Sequence, residues 1–413
     1  MAHPTHYFFK KSRPSLLAVD NDLPMPTHAH LCLTMFAPTR FTAIVYSVLL
    51  NSRIPTTTTL ATMAPFQGSN RSITAMHLLL PIGFTLTPLI GWLTGAPWLT
   101  VLIAVVVLPM AEWCYGRSAA PLQYQWGFAL PRAIMMAAIA VPLGFAAHAD
   151  QLAWGEVLWL SLGCGYVSGG IGIVLAHELG HRRARLDRLL ARTLLTSIGY
   201  GHYLLEHNQG HHRHAATLPD PATARTHESL WQFMPRYFYG VFSDSLRLSR
   251  QQRGRLNEAL CLSLLSAVWG LCIFGFAGWK GITFWLMQSL MALMLVAAID
   301  YVEHWGLQRH ELNGRYERLG PQHIWDCANR LSDALLFNLP RHSSHHLEPS
   351  LNSDALYHVP ESPQMPTGYA GMTLLASVPP LFRKIMTPRL PAERQASAPT
   401  PENKDKLAWT PKH

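Results

Sequence analysis

The sequence predicts an all-α integral membrane protein, a bundle of six transmembrane helices with a histidine-rich helical cap on the cytoplasmic side. Three observations lead to this fold class. Apolar residues make up 49% of the 413 residues, and charged residues make up only 14%. Six apolar segments approach the roughly 20 residues that a helix needs to cross a bilayer. The chain also contains 22 histidines, many of them clustered after these segments.

Residues 1–70 precede the first apolar segment and mix histidine, proline and threonine without a sustained period. The apolar stretch 41–50 is too short to span a bilayer and lies too far into the chain for an ordinary signal peptide. We therefore expect this region to be disordered or an over-long start, with Met63 or Met76 as the alternative initiator. At the other end, residues 391–413 form a polar tail.

The membrane domain is expected over residues 71–390. Its predicted spans are residues 76–94, 97–114, 129–147, 154–176, 259–278 and 282–302. The links within the first pair and the last pair of spans are very short, so each pair is expected to form an antiparallel hairpin. Lysine and arginine are sparse in the links after odd-numbered spans, whereas arginines such as Arg117 and Arg182 follow even-numbered spans.

The positive-inside rule therefore places both termini in the cytoplasm, with residues 177–255 and 303–385 as the cap. The net charge of +9 fits basic loops that flank membrane spans, and no nucleic-acid motif accompanies it. We expect membrane lipid, and no nucleic acid, as a partner. The six cysteines include no C-x-x-C pair, so the chain carries neither a disulfide framework nor a rubredoxin module of its own.

The fourth predicted span ends in His177-Glu178-Leu179-Gly180-His181. Two histidines four positions apart lie on the same face of a helix, where one metal ion can bridge them. Taken alone, the segment reads as the zinc-protease signature H-E-x-x-H, in which Glu178 would be the general base.

Further histidines argue for a larger metal site. Residues 207–212 contain a pair at i, i+4 with an adjacent third histidine, and residues 342–346 have the spacing i, i+3, i+4. The nine candidate ligands are His177, His181, His207, His211, His212, His304, His342, His345 and His346. Imidazole suits iron, zinc, copper or nickel, so spacing alone does not name the metal. Nine histidines exceed the need of one zinc ion and suffice for two metal ions with vacant positions.

Four segments carry a family resemblance: HELGHR from residue 177, EHNQGHH from 206, YVEHWGL from 301 and RHSSHH from 341. With the tail MPTGYAGM from residue 365, they resemble the signature segments of the bacterial alkane 1-monooxygenases, which belong to the membrane di-iron superfamily of desaturases and hydroxylases. The resemblance covers roughly residues 75–390. Xylene and cymene methyl hydroxylases share these segments. Pro340 stands where the family usually has glutamine, and Leu218-Pro219-Asp220-Pro221 replaces a Pro-Glu-Asp-Pro-like run.

The resemblance implies that the nine histidines hold two non-haem iron ions. It also implies hydroxylation of the terminal methyl group of an alkane by O2, with electrons from rubredoxin and an NAD(P)H-dependent rubredoxin reductase. Aromatic-methyl relatives tend to use a ferredoxin-type reductase instead. The alternatives are an aryl-methyl hydroxylase, a lipid desaturase, an intramembrane zinc protease and a non-catalytic metal-binding or transport protein.

Glu178, Glu206 and Glu303 each adjoin a candidate ligand in sequence, and ligand imidazoles usually donate their second N–H to a carboxylate. Adjacent helical residues point about 100° apart. Each glutamate is therefore expected to serve a neighbouring cluster, as an orienting or bridging carboxylate, or else to pair with a nearby arginine. Asp220 and Asp300 are weaker candidates. The remaining cap histidines are expected to face solvent or bond to backbone: His202, His214, His227, His310, His323 and His358.

Residues 177–255 carry a net excess of six positive charges, which would attract an acidic electron carrier and would also suit topology and anionic lipid headgroups. On the early spans, Phe84, Trp92, Trp98 and Met110 are candidate walls of a substrate channel. Lipid-facing or interhelical packing is the alternative for each of them.

Overall fold

The structure, a computed structural model, describes residues 70–117, 129–251 and 256–391, without the side chains of residues 70–78 and Leu312. These residues lie in one compact unit, Gln67–His413. The expected disordered or over-long start lies outside the described residues, and so does the polar tail beyond residue 391.

The described chain is mainly helical, as the sequence predicts. Its helices are α1 (Asn70–Leu93), α2 (Leu99–Tyr115), α3 (Ala129–Ala147), α4 (Trp154–Gly180), α5 (Arg185–Ser197), α6 (residues 203–214), α7 (Leu230–Arg250), α8 (Glu258–His304), α9 (Arg330–Leu335), α10 (His342–Leu347), α11 (Tyr369–Ala376) and α12 (Pro379–Met386). A small antiparallel hairpin, β1 (Glu311–Leu312) with β2 (Arg315–Tyr316), is an addition that the all-α prediction did not contain.

Three of the described helices are long and apolar enough to cross a membrane: α3, α4 and α8. The stretches Leu79–Leu93 and Leu99–Tyr115 are apolar but shorter. Each predicted span overlaps an apolar helix of the structure: the first four overlap α1, α2, α3 and α4, and the last two both lie in α8. That the chain crosses the membrane six times stays a prediction.

Helix α8 is not one straight rod. Its backbone breaks at Gly278, where φ is 57° and ψ is −145°, a conformation that is essentially restricted to glycine. A methyl group on Gly270 would lie 3.1 Å from ring carbon Cζ3 of Trp285, although the two residues would be about 22 Å apart along an uninterrupted helix. The chain therefore folds back at Gly278, and the two arms of α8 pack side by side.

The short links between helices meet at one end of the bundle. Lys280, in the turn of α8, donates to the carbonyl oxygens of Asp150 (3.3 Å) and Leu152 (2.7 Å), in the link between α3 and α4. The ring of Trp92, beside the link between α1 and α2, lies 5.9 Å from the ring of Phe145 near the end of α3. The three pairs of helices therefore turn at the same end.

The opposite end carries the histidine segments and the remaining helices. The rings of Phe233 on α7 and Phe382 on α12 lie 5.5 Å and 5.2 Å from the ring of Tyr301, one turn before the end of α8. The backbone N–H of Glu258, at the start of α8, donates to Ser249 Oγ on α7 (2.6 Å). The short links therefore lie at one end of the bundle, and the helices at the other end are called the cap. That these helices form a cytoplasmic cap over six spans stays a prediction.

Small residues let α4 approach the second arm of α8 closely. A methyl group on Gly165 would lie 2.4 Å from Met291 Cβ, and one on Gly169 would lie 2.8 Å from Ala292 Cα. Glycine at such positions allows membrane helices to pack backbone against backbone. The close approach brings the end of α4, with its histidines, beside the end of α8.

Candidate metal centre

Nine histidines meet at the capped end of the bundle, and they are the nine that the sequence singles out. They form two groups, and within each group the potential ligand atoms all lie within 4.8 Å of one another. Group A consists of His177, His181, His207, His212 and His345, and group B consists of His211, His304, His342 and His346. Group A combines residues from the end of α4, from α6 and from α10, and group B combines residues from α6, α8 and α10, so three separate helices must come together to form each group.

In both groups the rings face one another through the same atom, Nε2. In group A the Nε2–Nε2 distances are 3.3 Å for His177–His181, 3.0 Å for His207–His212 and 3.1 Å for His212–His345. In group B they are 3.2 Å for His211–His346, 3.1 Å for His304–His342 and 2.9 Å for His342–His346. Two nitrogen ligands that are each about 2.1 Å from one ion, at right angles, lie about 3 Å apart. The spacing of these donors therefore fits a transition-metal ion in each group.

The protonation of the rings also fits a metal site. Burial lowers the pKa of His181 to about 4. Burial, with nearby imidazoles as a smaller cause, holds the pKa of His345 well below its usual value. Such rings are neutral near pH 7, and a neutral imidazole has a nitrogen lone pair that a metal ion can accept.

Helix α6 divides its histidines between the groups. The spacing suggests that His207 pairs with His211, and this is not the pair that forms. Residues His207–His211 make a π-helical turn, which holds more residues than an α-helical turn and brings residue i+5 close to residue i. His207 therefore faces His212, and His211 joins group B. Single π turns are frequent at functional sites, but sequence spacing does not reveal them.

Helix α10 is divided in the same way. His342 and His346, at i and i+4, both belong to group B, whereas His345 belongs to group A. The preceding residue, Arg341, forms a buried ion pair with Asp333 (2.8 Å) that holds the start of the helix. Adjacent histidines of α6 and α10 thus point into different groups, and the ring centroids of His212 and His346 are only 4.7 Å apart across the boundary.

The two groups differ in their access to solvent. All four histidines of group B are buried, whereas His181 and His212 of group A are partly exposed. A polar cleft reaches His181 from the surface, and its walls include Glu178, Arg182 and Arg183 and the loop residues Ser350 and Asn352. Group A is therefore the one that is open to the aqueous side of the cap.

Asp220 is the carboxylate that binds a ring of the centre most directly. Its Oδ2 lies 3.0 Å from Nδ1 of His211, and its side chain is fully buried. Burial alone would lower the pKa of His211, but the Asp220 carboxylate outweighs burial and raises this pKa to about 9. A metal ion on Nε2 would be favoured by the same negative charge. The sequence makes Asp220 only a weaker candidate, because spacing along the chain does not show that the loop after His211 brings Asp220 back beside this ring.

Glu303 contacts His342, which lies in another histidine segment of the sequence, and not its neighbour in sequence, His304. Both histidines belong to group B. Glu303 Oε1 lies 3.4 Å from His342 Nδ1, close but not aligned for a hydrogen bond, and accepts a hydrogen bond from the Tyr369 hydroxyl group (2.6 Å). Asp300, one turn earlier on α8, accepts a hydrogen bond from the Tyr237 hydroxyl group (2.5 Å).

The other two glutamates are placed differently. Glu178 accepts a hydrogen bond from the backbone N–H of Ser353 (3.3 Å) and lies 3.8 Å from Arg182, so the arginine-pairing alternative describes it better. Glu206 is buried, and burial together with nearby carboxylates, Asp220 first, raises its pKa to about 8. Within the described part of the chain, Glu206 Oε1 has no hydrogen-bond partner.

Sequence reasoning missed one aromatic partner of the centre. The Tyr203 hydroxyl group lies 3.2 Å from Nδ1 of His207, one helical turn away, where it can accept the proton of a ring that binds metal through Nε2. The i, i+4 spacing of Tyr203 and His207 was the available signal. The six other cap histidines lie outside both groups. The expectation that they face solvent or bond to backbone is wrong for His202, which is buried, and for His358, which pairs with the buried carboxylate of Asp326 (2.7 Å).

An apolar cavity lies in the bundle on the membrane side of group B. Phe84, Leu108, Tyr166, Ile299, Leu335 and Tyr369 are among the residues that line it. Phe84 lines this cavity and is also packed in the hydrophobic core, so both alternatives describe it. Trp92, Trp98 and Met110 are 42%, 45% and 48% exposed on the outside of the bundle, so the packing or lipid-facing alternative describes them better.

Comparison with known proteins gives concordant matches. A family profile described as "Fatty acid desaturase" matches residues 152–373. "Alkane 1-monooxygenase 2" of Pseudomonas aeruginosa is 35% identical over 324 residues, which are 72% of this chain and 84% of the relative. "Alkane 1-monooxygenase" of Pseudomonas putida is 35% identical over 61% of this chain and 67% of its own length. The "Xylene/toluene monooxygenase hydroxylase component XylM" of Pseudomonas putida is 24% identical over 57% of this chain and 65% of its own length.

Proposed function

Because the chain belongs to the alkane 1-monooxygenases and to the wider fatty acid desaturase family, we propose that it hydroxylates alkanes at the terminal methyl group. One atom of O2 enters the C–H bond to give a 1-alkanol, and two electrons and two protons reduce the other atom to water. The observation that carries this proposal is the convergence of nine Nε2 donors into two adjacent groups.

Iron is the proposed metal in both groups. Imidazole donors suit iron, zinc, copper and nickel alike, so the choice of iron rests on the family. Group A would hold one ion through up to five histidines, and group B would hold the other through four. When bound, the two iron ions supply the activation of O2 and the attack on an unactivated C–H bond.

The protein orients the ligands and keeps water away. Asp220 contacts Nδ1 of His211, and Tyr203 contacts Nδ1 of His207. Nε2 of each ring is therefore directed at the other donors. All the histidines of group B are buried. Exclusion of water limits side reactions of a strongly oxidising centre.

The apolar cavity is the proposed binding site for the substrate. Alkanes partition into the hydrocarbon core of a membrane, so they can approach between helices without passing through water. The cavity ends at Tyr369, whose hydroxyl group binds Glu303 beside group B. A methyl group at this end would be the part of the alkane nearest the metal centre.

Electrons are proposed to arrive from rubredoxin, which an NAD(P)H-dependent reductase would keep reduced. The polar cleft that ends at His181 supports entry on the side of group A, and Arg183 and Arg185 are exposed near it. Positive charge speeds the encounter with an acidic carrier. The proposed location is the bacterial inner membrane, with the cap in the cytoplasm where such carriers are present.

The function is tested with the full-length protein in lipid nanodiscs, supplied with octane, ¹⁸O2, rubredoxin, its reductase and NADH. We expect two iron ions per chain and 1-octanol that contains one ¹⁸O atom. His211→Ala removes a donor of group B and should abolish iron retention and octanol formation. His214→Ala is the matched control, because His214 is an exposed cap histidine outside both groups, and it should retain both.

The same assay decides between the alternatives. Octanol without ¹⁸O, or protein with one zinc and no iron, would contradict the proposal. Oxidation of p-xylene in preference to octane would favour the aryl-methyl alternative, and a new double bond in an acyl chain would indicate a desaturase. The zinc-protease alternative explains only His177 and His181 with one distal ligand, and it leaves the four donors of group B without a role.

A further inference from the structure

We propose that Tyr369 is a positioning residue for the group B metal, and that Glu112 fixes Tyr369 in place from the membrane side. The Tyr369 hydroxyl group holds the Glu303 carboxylate against His342, and the Glu112 carboxylate anchors the helix that carries Tyr369. This inference rests on the proposed function in so far as it takes group B to be a metal site.

The contact between Tyr369 and Glu303 is direct and buried. The hydroxyl group donates to Glu303 Oε1 at 2.6 Å, and both residues are only 2% exposed. The same oxygen atom lies 3.4 Å from Nδ1 of His342. One carboxylate oxygen therefore lies between a tyrosine hydroxyl group and a ring of group B.

This shared oxygen gives Tyr369 control over the His342 ring. A metal ion on Nε2 leaves the ring proton on Nδ1, and a metal-bound histidine usually donates that proton to a carboxylate or carbonyl group. Within the described residues, Glu303 is the carboxylate within 4 Å of Nδ1. Without the Tyr369 hydroxyl group, the Glu303 side chain loses the hydrogen bond that holds Oε1 beside the ring.

Glu112 connects this pair to helix α2. Its carboxylate accepts hydrogen bonds from Ser332 Oγ (2.5 Å) and from the backbone N–H groups of Ala370 (3.0 Å) and Gly371 (2.8 Å). The backbone N–H of Tyr369 donates to the same Ser332 Oγ (3.0 Å). Glu112 thus satisfies free N–H groups of the first turn of α11, where a negative charge is also favourable.

Gly368 shows how closely the carboxylate fits against this turn. A methyl group on Gly368 would lie 2.4 Å from Glu112 Cδ and 2.4 Å from Ser332 Oγ, so only glycine leaves room for the anchor. Tyr369 and Glu112 both line the apolar cavity. Residues that line the proposed substrate site therefore also set the orientation of the His342 ring in group B.

The test compares wild type with Tyr369→Phe, in the full-length protein loaded with ⁵⁷Fe. The variant keeps the ring that lines the cavity and loses only the hydroxyl group. We expect two iron ions per chain to remain, the Mössbauer signal of one iron to change, and that of the other to stay as in wild type. Loss of a partner that orients a metal ligand typically costs about 10-fold to 100-fold in activity or metal affinity. We expect kcat for octane to fall about 10-fold and KM to stay within about twofold.

Tyr357→Phe is the matched control. The Tyr357 hydroxyl group donates to Glu348 Oε1 (2.7 Å) at the surface, and neither residue belongs to a histidine group, so this variant loses one Tyr–Glu hydrogen bond that is exposed to solvent. It should match wild type in iron signals and kcat. Glu112→Gln keeps the shape of the anchor and removes its charge, and it should alter the same iron signal as Tyr369→Phe.

Three results would overturn the inference: unchanged iron signals in Tyr369→Phe, equal changes in both signals, or the absence of metal from group B in the wild type. Because the signals are read from the iron and not from the product, they stand even if the wild type does not hydroxylate octane. A wild type that holds iron in group B but makes no octanol would contradict the proposed function alone.

Discussion

At the scale of single residues, two histidine doublets link the two histidine groups. His211 and His212 on α6, and His345 and His346 on α10, each send one ring to group B and the other to group A. Consecutive residues on a helix point about 100° apart, so two adjacent histidines cannot easily serve one ion but can serve two neighbouring ions. The doublets are therefore what the proposed two-metal site would require at the level of single residues.

The carboxylates show where residue-level reasoning from the sequence stopped. Glu178, Glu206 and Glu303 were singled out because they adjoin candidate ligands, yet Asp220 makes the clearest contact with a ring of the centre. Asp220 follows His211 by nine positions, across a chain segment that reverses direction. Such a contact depends on the path of a loop, which local spacing does not specify.

We predict that Asp220→Asn weakens iron retention by about 10-fold to 100-fold. The neutral amide keeps the shape of the side chain but removes the negative charge that favours a cation on His211. Competition with an iron chelator measures the change. Asp244→Asn is the control, because Asp244 pairs with Arg247 at the surface of α7 (3.1 Å). Equal retention in the two variants would mean that Asp220 has only a structural role.

At the scale of secondary-structure elements, departures from regular α-helix position the site. The π turn at His207–His211 allows α6 to supply both groups. The break at Gly278 turns α8 back on itself, so that His304 returns to the end of the bundle where α8 began. The sequence predicts the turn at Gly278, from the very short link between the spans 259–278 and 282–302, but spacing along the chain does not reveal the π turn.

We predict that Gly278→Ala destabilises the protein by about 1–3 kcal/mol, because a Cβ atom makes this backbone conformation unfavourable. Thermal unfolding of the purified protein in detergent measures the change. Gly275→Ala makes the same substitution three residues earlier, where the backbone is helical and no atom lies within 4 Å of the new methyl group. It should unfold at the wild-type temperature or slightly above it. Similar losses in both variants would show that the turn does not depend on this glycine.

At the scale of the whole molecule, polar and apolar access lie on different sides of the centre. The polar cleft reaches group A through His181, and the apolar cavity ends at Tyr369 beside group B. The proposed reaction would take its hydrocarbon substrate from the membrane and its electrons from a soluble carrier, and it needs such a division. The short links of the bundle lie at the end opposite to both the cap and the two histidine groups.

We predict that the short links face the periplasm and the cap faces the cytoplasm, following the distribution of arginine. The measurement uses a variant that lacks the native cysteines and carries either Gln151→Cys, between α3 and α4, or Arg185→Cys, at the start of α5. Both positions are exposed. A membrane-impermeant maleimide should label the first in intact spheroplasts and the second only after lysis. The reverse pattern would invert the topology.

The sequence by itself determined the helical class, the approximate boundaries of the apolar helices and the nine histidines of the centre. These features depend on composition and local spacing, since a membrane helix needs a long apolar run and a ligand needs a particular side chain. The tertiary structure decided how the histidines divide into five and four, that Asp220 binds His211, and that Tyr369 holds Glu303. Each of these depends on contacts between segments distant in sequence or on the number of residues in a helical turn. Packing sets both, and local spacing does not encode them.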